Sequence, residues 1–198
     1  MGYSLSWAAV KGGTLQMICD ACNLHPTGER EEIAESNIDA AEIPSGWYLV
    51  VFNQRETDDR LLARLSAKGA VVSCFVEDHL MFSSASGWSR GMQVWKVFHD
   101  CEEGRYHLDV AGNPPPALTE IRERLKQEQD AAGGEKADVD YIYDVPLEVA
   151  KSLTGFRHDQ DIAGMAGDVY HVLEPSAEIS PKAGLMGRLS SIFKGNRQ

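Results

Sequence analysis

Four short runs rich in β-branched and aromatic residues follow one another between residues 70 and 110, and they constrain the fold more than any other stretch. Polar or glycine-containing connections separate the runs, which are followed by three consecutive prolines that cannot donate to a strand ladder. This pattern predicts a four-strand antiparallel meander in a fold of the α+β class. The predicted strands are residues 71–76, 79–86, 92–99 and 105–110.

The lengths of the connections also predict which strand residues face one another. A loop of about four residues after the third run would place Val97 opposite Tyr106 and Trp95 opposite Leu108, so that large apolar side chains share one face. If residues 87–91 form the whole of the preceding loop, His79 lies opposite His99. Both registers are predictions from turn length.

The rest of the chain alternates between strand-like and helix-like segments. We predict a mainly antiparallel sheet with the helices packed on one side, in a single domain over residues 1–175. Two lobes, 1–111 and 117–173, are the alternative. Residues 29–45 are weakly patterned, with a short strand possible near 32–35. Further strands are predicted at 2–10, 47–52, 139–145 and 168–173, and helices at 15–22, 59–69, 117–130 and 146–153.

The net charge of −11 is unevenly distributed. An acidic body argues against a nucleic-acid surface, because neutralising phosphates requires clustered Lys and Arg. Only the C-terminal tail, residues 176–198, is basic, with an apolar helical stripe that includes Leu185 and Leu189. We therefore expect the tail to be an appendage that contacts the body, a partner or an anionic membrane surface.

The four cysteines do not suggest a disulfide framework. Cys74 falls in a predicted strand and Cys101 in a turn, whereas Cys19 and Cys22 share a predicted helix. The longest apolar runs are also shorter than the roughly 20 residues that a membrane-spanning helix needs. These features favour a cytoplasmic location with reduced cysteines.

The opening M-G-Y-S-L-S-W, together with G-W-Y-L-V-V at residues 46–51 and S-S-A-S-G-W at 83–88, resembles a group of uncharacterised bacterial proteins. The resemblance extends from Gly2 to about His158. It implies no activity, ligand or cofactor.

Two short motifs invite a catalytic or metal-binding interpretation. Residues 87–91, G-W-S-R-G, match the nucleophile string of serine hydrolases, but that motif requires a turn from a strand into a helix, and here a strand follows. Cys19 and Cys22 have the spacing of a zinc or redox pair, but no second pair completes a four-ligand site and both cysteines fall late in their helix. We predict a hairpin loop and buried helical cysteines, with no catalytic residue.

Two pairs of residues remain as site candidates. His79 and His99, each beside an aspartate, could bind a transition metal if they face each other. Trp88 and Arg90 at a hairpin tip would form an anchor for a partner, because Trp and Arg are enriched at interface hot spots.

Without a catalytic constellation, the sequence favours a small acidic protein that binds a partner, carries no cofactor and is not an enzyme. One such function is immunity-type inhibition of a basic toxin enzyme. The alternative is a hydrolase or metal-dependent enzyme that uses His79 and His99.

Overall fold

The computed structural model describes residues 2–176, which contribute nine strands to one sheet. Every neighbouring pair of strands is antiparallel. The predicted α+β class is therefore confirmed. The strands are β1 (Ser4–Lys11), β2 (Leu24–Glu31), β3 (Ile38–Ile43), β4 (Trp47–Asn53), β5 (Ala70–Glu77), β6 (Phe82–Ser89), β7 (Met92–Asp100), β8 (Asp109–Gly112) and β9 (Tyr170–Pro175), in the sheet order β2-β9-β3-β4-β1-β5-β6-β7-β8.

Four α-helices flank the sheet in the described part of the chain. Local capping explains where the first two begin: the Thr14 side chain accepts a hydrogen bond from the Met17 N–H, and Asp58 accepts one from Leu61. None of the helices of residues 2–176 is long and apolar enough to cross a membrane. The helices are α1 (Leu15–Cys22), α2 (Asp59–Leu65), α3 (Ala117–Ala132) and α4 (Asp144–Thr154), with short 3-10 turns at Cys101–Glu103 and Gly134–Lys136.

The helices cover both faces of the sheet, so the prediction that they pack on one side is wrong. Ile18 of α1 and Leu62 of α2 join one apolar cluster, whereas Leu125 of α3 and Leu147 of α4 join the cluster on the opposite face. The physical reason lies in strands such as β1, which is buried at six consecutive positions and needs cover on both sides.

The last described strand pairs with early strands. β9 lies between β2 and β3, with Asp39 of β3 opposite Val172 of β9. β2 and β3 are therefore parallel to each other, and residues 32–37 connect them across β9. The tail predicted for residues 176–198 lies beyond the described residues except for Ser176, whose N–H donates to the Asn23 carbonyl.

The predicted strand at residues 139–145 is wrong, because a turn at residues 141–143, closed by the Asp140 side chain, leads into a helix there. Asp140 is buried, and its Oδ1 accepts hydrogen bonds from the N–H groups of Ile142 and Tyr143. α4 then begins at Asp144, two residues before the predicted start at Pro146. A carboxylate that satisfies two backbone donors favours a helix start over an extended strand.

β5 to β8 are neighbours in chain order, but the predicted register of the last pair is wrong. Val97 faces Val110 and Trp95 faces Gly112. The connection between β7 and β8 is longer than predicted because His107, which belongs to it, is bonded to the end of β7. The His107 carbonyl lies 2.7 Å from the His99 Nδ1, and the His107 ring Nδ1 accepts a hydrogen bond from the Asp100 N–H. Trp95 and Val97 are nevertheless buried on one face, as predicted.

The β6–β7 hairpin turns through two residues rather than five. Arg90 and Gly91 both have positive φ, at 52° and 77°, which is the geometry of a tight hairpin turn. A bulge lies in β6 between Gly87 and Trp88, shortly before this turn. In the resulting register, Ser83 of β6 faces His99 of β7. The predicted pairing of His79 with His99 is therefore wrong.

Candidate functional site

A cleft of about 620 Å³ opens on the face of the sheet that α3 and α4 cover. Its floor includes Leu5, Val51 and Tyr170, which project from three strands toward the same face. Its walls are residues 32–35 of the β2–β3 connection and the loop 156–167 that follows α4. The cleft thus forms where two irregular segments meet over the sheet.

The rim of this cleft is acidic. Glu32, Glu35, Asp159 and Asp161 line it, and no Lys or Arg appears among its described lining residues. Asp159 is paired with Arg157, whose Nε lies 2.8 Å from the carboxylate and whose guanidinium also contacts Asp144 and Glu148. Within the described chain, the uncompensated negative charge therefore comes from the other three carboxylates.

Aromatic groups form the mouth of the cleft. Tyr3 is 45% exposed, and its ring meets the His158 ring edge-on with centroids 4.7 Å apart. An adjoining cavity of about 680 Å³ shares Tyr3 and Glu35 with the cleft and is also lined by Glu77 and His79. The mouth thus continues into a second recess that also lacks Lys and Arg among its described lining residues.

Buried polar atoms without a hydrogen-bond partner are concentrated around the cleft. Of six such atoms in residues 2–176, four belong to Trp7, Asp39 and His158. His158 lines the cleft, and Trp7 packs edge-on against Phe156 of the cleft wall at 5.1 Å. Because an unpaired buried polar group normally costs stability, such groups at one cleft mark it as a candidate binding site.

Asp39 is the most deeply buried of the acidic groups beside the cleft. It is 0% exposed, and neither carboxyl oxygen has a hydrogen-bond partner in the described chain. It faces Val51 across the sheet, so its side chain projects toward the cleft face. Burial raises the pKa of this carboxyl to about 7, with the charge of Glu31 adding to the shift and the Ser36 backbone opposing it.

The connection over β9 is held by specific hydrogen bonds. The Glu31 carboxylate accepts from the N–H groups of Glu35 and Ser36, at 3.2 Å each. Asn53 donates from its side chain to the carbonyls of Ala34 and Ser36. These hydrogen bonds fix the backbone of the segment that carries Glu32 and Glu35, so this side of the rim has a defined conformation.

A second polar cluster lies between β7 and the start of α4. His99 and Asp140 are both fully buried at their side chains, with Nε2 and Oδ2 3.2 Å apart in an ion-pair contact that lacks hydrogen-bond geometry. Burial alone would raise the pKa of Asp140, but His99, the Tyr143 N–H and Arg105 hold it below its usual range. Neither residue lines the cleft or its adjoining recess.

The structure separates the two predicted metal ligands. His79 is exposed in the turn after β5 and lines the adjoining cavity of about 680 Å³, whereas His99 lies in β7 and is fully buried. In residues 2–176, no three His, Cys, Asp or Glu side chains are grouped so that they could hold a metal ion. The two-residue β6–β7 turn, which shifts the register, is the physical reason that the pair does not form.

Trp88 does not project from a loop as predicted. It lies in β6, is 7% exposed, and donates its indole N–H to Ser86 at 2.8 Å. Arg90 is exposed at the turn, so a binding role at this tip stays a prediction that would depend on Arg90. The predicted helical cysteines are found in α1, where burial raises the pKa of Cys22 to about 12.

The sequence interpretation missed the residues of the cleft. Asp39 is the acidic residue in an otherwise apolar start of β3, Ile38–Ile43, and an aspartate in such a run is the signal that could have drawn attention to it. Glu32 and Glu35 fell in a segment predicted to be weakly structured. Their meeting with His158, more than 100 residues later, depends on β9 and could not be read locally.

Comparison with known proteins supplies no relative. No protein-family model matches the chain, and neither do the curated proteins or the solved structures.

Proposed function

We propose that this protein is a non-catalytic binding protein whose cleft holds a cationic group, a guanidinium or an ammonium, presented by a basic protein partner. The observation that carries the proposal is a cleft of about 620 Å³ lined by carboxylates without a lining Lys or Arg in the described chain. A basic toxin enzyme held by an immunity-type inhibitor is one partner that would present such a group.

The physical chemistry of the cleft supports a cation as its ligand. Carboxylates form their strongest hydrogen bonds with charged donors, and a bidentate guanidinium adds geometric specificity. The exposed ring of Tyr3 can also attract a cation through its face. The volume lies within the range of roughly 300–1,000 Å³ found for ligand pockets, which accommodates a long basic side chain with part of its backbone.

The composition of the cleft favours binding over covalent catalysis. Its described lining residues include no Ser, Thr, Cys or Lys, and none of its carboxylates is hydrogen-bonded to the histidine of the lining as a nucleophile and base would be. His158 is the imidazole in the lining, and burial lowers its pKa, so it stays neutral near pH 7. The alternative of a hydrolase or metal-dependent enzyme required His79 and His99 to face each other, but Ser83 lies opposite His99 instead.

The test measures binding of a fluorescent hexa-arginine peptide by anisotropy, with hexa-lysine and a neutral hexa-glutamine peptide for comparison. Removing three rim charges should weaken hexa-arginine binding at least tenfold, whereas a control variant with the same change of net charge on exposed positions away from the cleft should bind nearly as wild type does. The rim variant is Glu32→Gln, Glu35→Gln and Asp161→Asn, and the control is Glu120→Gln, Glu135→Gln and Asp138→Asn.

Equal losses in both variants would reject the proposal, because they would show that net charge and not the cleft attracts the peptide. Arginine methyl ester distinguishes a free small cation from a peptide side chain. If the ester displaces the peptide at comparable concentration, the cleft takes a small molecule and the proposal of a protein partner fails.

A further inference from the structure

We infer that Asp39 is the buried counter-charge of the cation site: its carboxyl holds a proton more strongly when the cleft is empty and releases that proton to solvent when a cationic group is bound. This inference rests on the proposed function and assigns a role to a residue that does not line the cleft itself. It predicts that cation binding and proton release are coupled.

Asp39 lies beside the floor of the cleft. Val51, its β4 neighbour in the register, forms part of the cleft floor, and Tyr170 of β9 forms another part. Residues 32–35 of the connection form the adjacent wall, and Ser36 contributes a backbone group near the carboxyl. Asp39 therefore lies next to three elements that line the cleft: β4, β9 and the 32–37 connection.

A negative charge at that position is costly. The carboxyl is 0% exposed, and no hydrogen bond of ordinary geometry reaches either oxygen within residues 2–176, although the Ser36 backbone lies close enough to lower its pKa slightly. A buried ionised carboxylate without a partner is strongly disfavoured, and such a group is normally protonated instead. A cation in the adjacent cleft would supply an opposite charge, and the attraction between the two charges is stronger in a medium of low dielectric constant than in water.

The groups that face Asp39 in residues 2–176 bring no compensating charge. Glu31, at the end of β2, adds a negative charge that opposes ionisation of Asp39. Val172 faces Asp39 from β9, and Tyr170, two residues away on the same face, has a phenol whose pKa is raised by burial and by Asp39. On the β4 side the neighbour is the apolar Val51. Arg30 directs its guanidinium to the Val169 carbonyl at 3.1 Å and does not pair with Asp39.

His171 belongs to the opposite face. It is the β9 partner of Ala40, the neighbour of Asp39 along β3, and successive side chains of a strand point to opposite faces. Nothing that faces Asp39 in the described chain therefore compensates its charge. The compensating charge would arrive with the ligand.

The sign of the pH dependence follows from linkage. With the pKa raised to about 7, Asp39 is already ionised above pH 8, so cation binding there releases no proton from it. Below pH 7 binding must first remove the proton, and affinity therefore falls as pH falls, by at most about tenfold per pH unit for one proton. At pH 7 about half a proton should be released per cation bound.

The experiment compares wild type with Asp39→Asn, using hexa-arginine at pH 6, 7 and 8. We expect the wild-type dissociation constant to rise five- to tenfold from pH 8 to pH 6 and that of the variant to change less than twofold. His79 and His158 are present in both proteins, so the comparison removes their contribution. The same pH dependence in both proteins would overturn the inference.

A second measurement does not need the variant to fold. Titration calorimetry of the wild type at pH 7, in two buffers of different ionisation enthalpy, counts the protons released per hexa-arginine bound. A value near 0.5 supports the inference, and zero refutes it. If the rim variant loses binding while the proton count is zero, the proposed function stands and only the role of Asp39 fails. If wild type binds no cationic peptide at any pH, both fail.

Discussion

Replacing Asp39 by Asn should change the way in which stability depends on pH. In the unfolded chain an aspartate has a pKa of about 3.9, and burial raises the pKa of Asp39 in the folded protein to about 7. Between these values the folded state holds a proton that the unfolded state has released. Stability from this group is therefore highest at low pH and falls as pH rises, until the folded carboxyl also ionises.

The size of the effect follows from the two pKa values. One unit of difference corresponds to about 1.4 kcal/mol, so ionised Asp39 costs about 4 kcal/mol above pH 7, of which about 2.5 kcal/mol appears between pH 5 and pH 8. Asparagine has nearly the same shape but does not titrate. The buried amide of the variant adds a cost of about 1–3 kcal/mol that is the same at every pH.

Urea denaturation of both proteins at pH 5, 6, 7 and 8 measures this difference. Every other titratable group is common to the two chains, so the change in their stability difference reports Asp39. We expect the variant to gain about 2.5 kcal/mol relative to wild type between pH 5 and pH 8. A stability difference that stays constant over this range would refute the raised pKa and the reasoning from burial.

Three further predictions concern the sheet and its hairpins. Gly87→Ala should cost about 1–3 kcal/mol of stability, because the new Cβ would lie 2.0 Å from the Trp95 Nε1. Trp95→Ala should cost about 3–5 kcal/mol, because it removes a large buried aromatic side chain. A denaturant midpoint unchanged by either substitution would contradict this packing. Asp140→Asn should cost about 3–5 kcal/mol at pH 7, because it leaves His99 and two backbone donors with a poorer partner, and a melting temperature equal to that of wild type would argue against the cluster. Arg90→Asn should stabilise by roughly 0.5–1 kcal/mol, because asparagine tolerates the positive φ of the turn better, and a lower melting temperature would reject this.

Signals that act within a few residues were sufficient for part of the fold. Thr14 and Asp58 are capping residues whose position marks the start of α1 and α2, and the apolar run at 71–76 is enclosed by β5. The three prolines at 114–116 precede α3, as predicted. Each of these depends on chemistry between neighbours in sequence, which the sequence displays directly.

Features that depend on distant contacts were not predictable from the sequence. The position of His99 is set by a two-residue turn and a bulge, whereas the glycine-bounded string at residues 87–91 suggested a five-residue loop. The long connection before β8 depends on the contacts of His107 with β7. Asp39 is buried beside the 32–37 connection, whose Ser36 backbone lies near its carboxyl, and that connection crosses β9, a strand formed by residues more than 100 positions later.

The insertion of β9 between β2 and β3 has a consequence for how the chain is made. During synthesis from the N-terminus, one edge of β3 has no partner until residues 170–175 have emerged. An unpaired strand edge is a template for pairing with another chain, and partly synthesised proteins with such edges are prone to aggregate. From the completion of β3 at Ile43 until β9 emerges, a ribosome-bound chain of this protein would thus carry an unpaired strand edge inside its sheet, and a nascent chain stalled before Tyr170 would be a natural client for a chaperone.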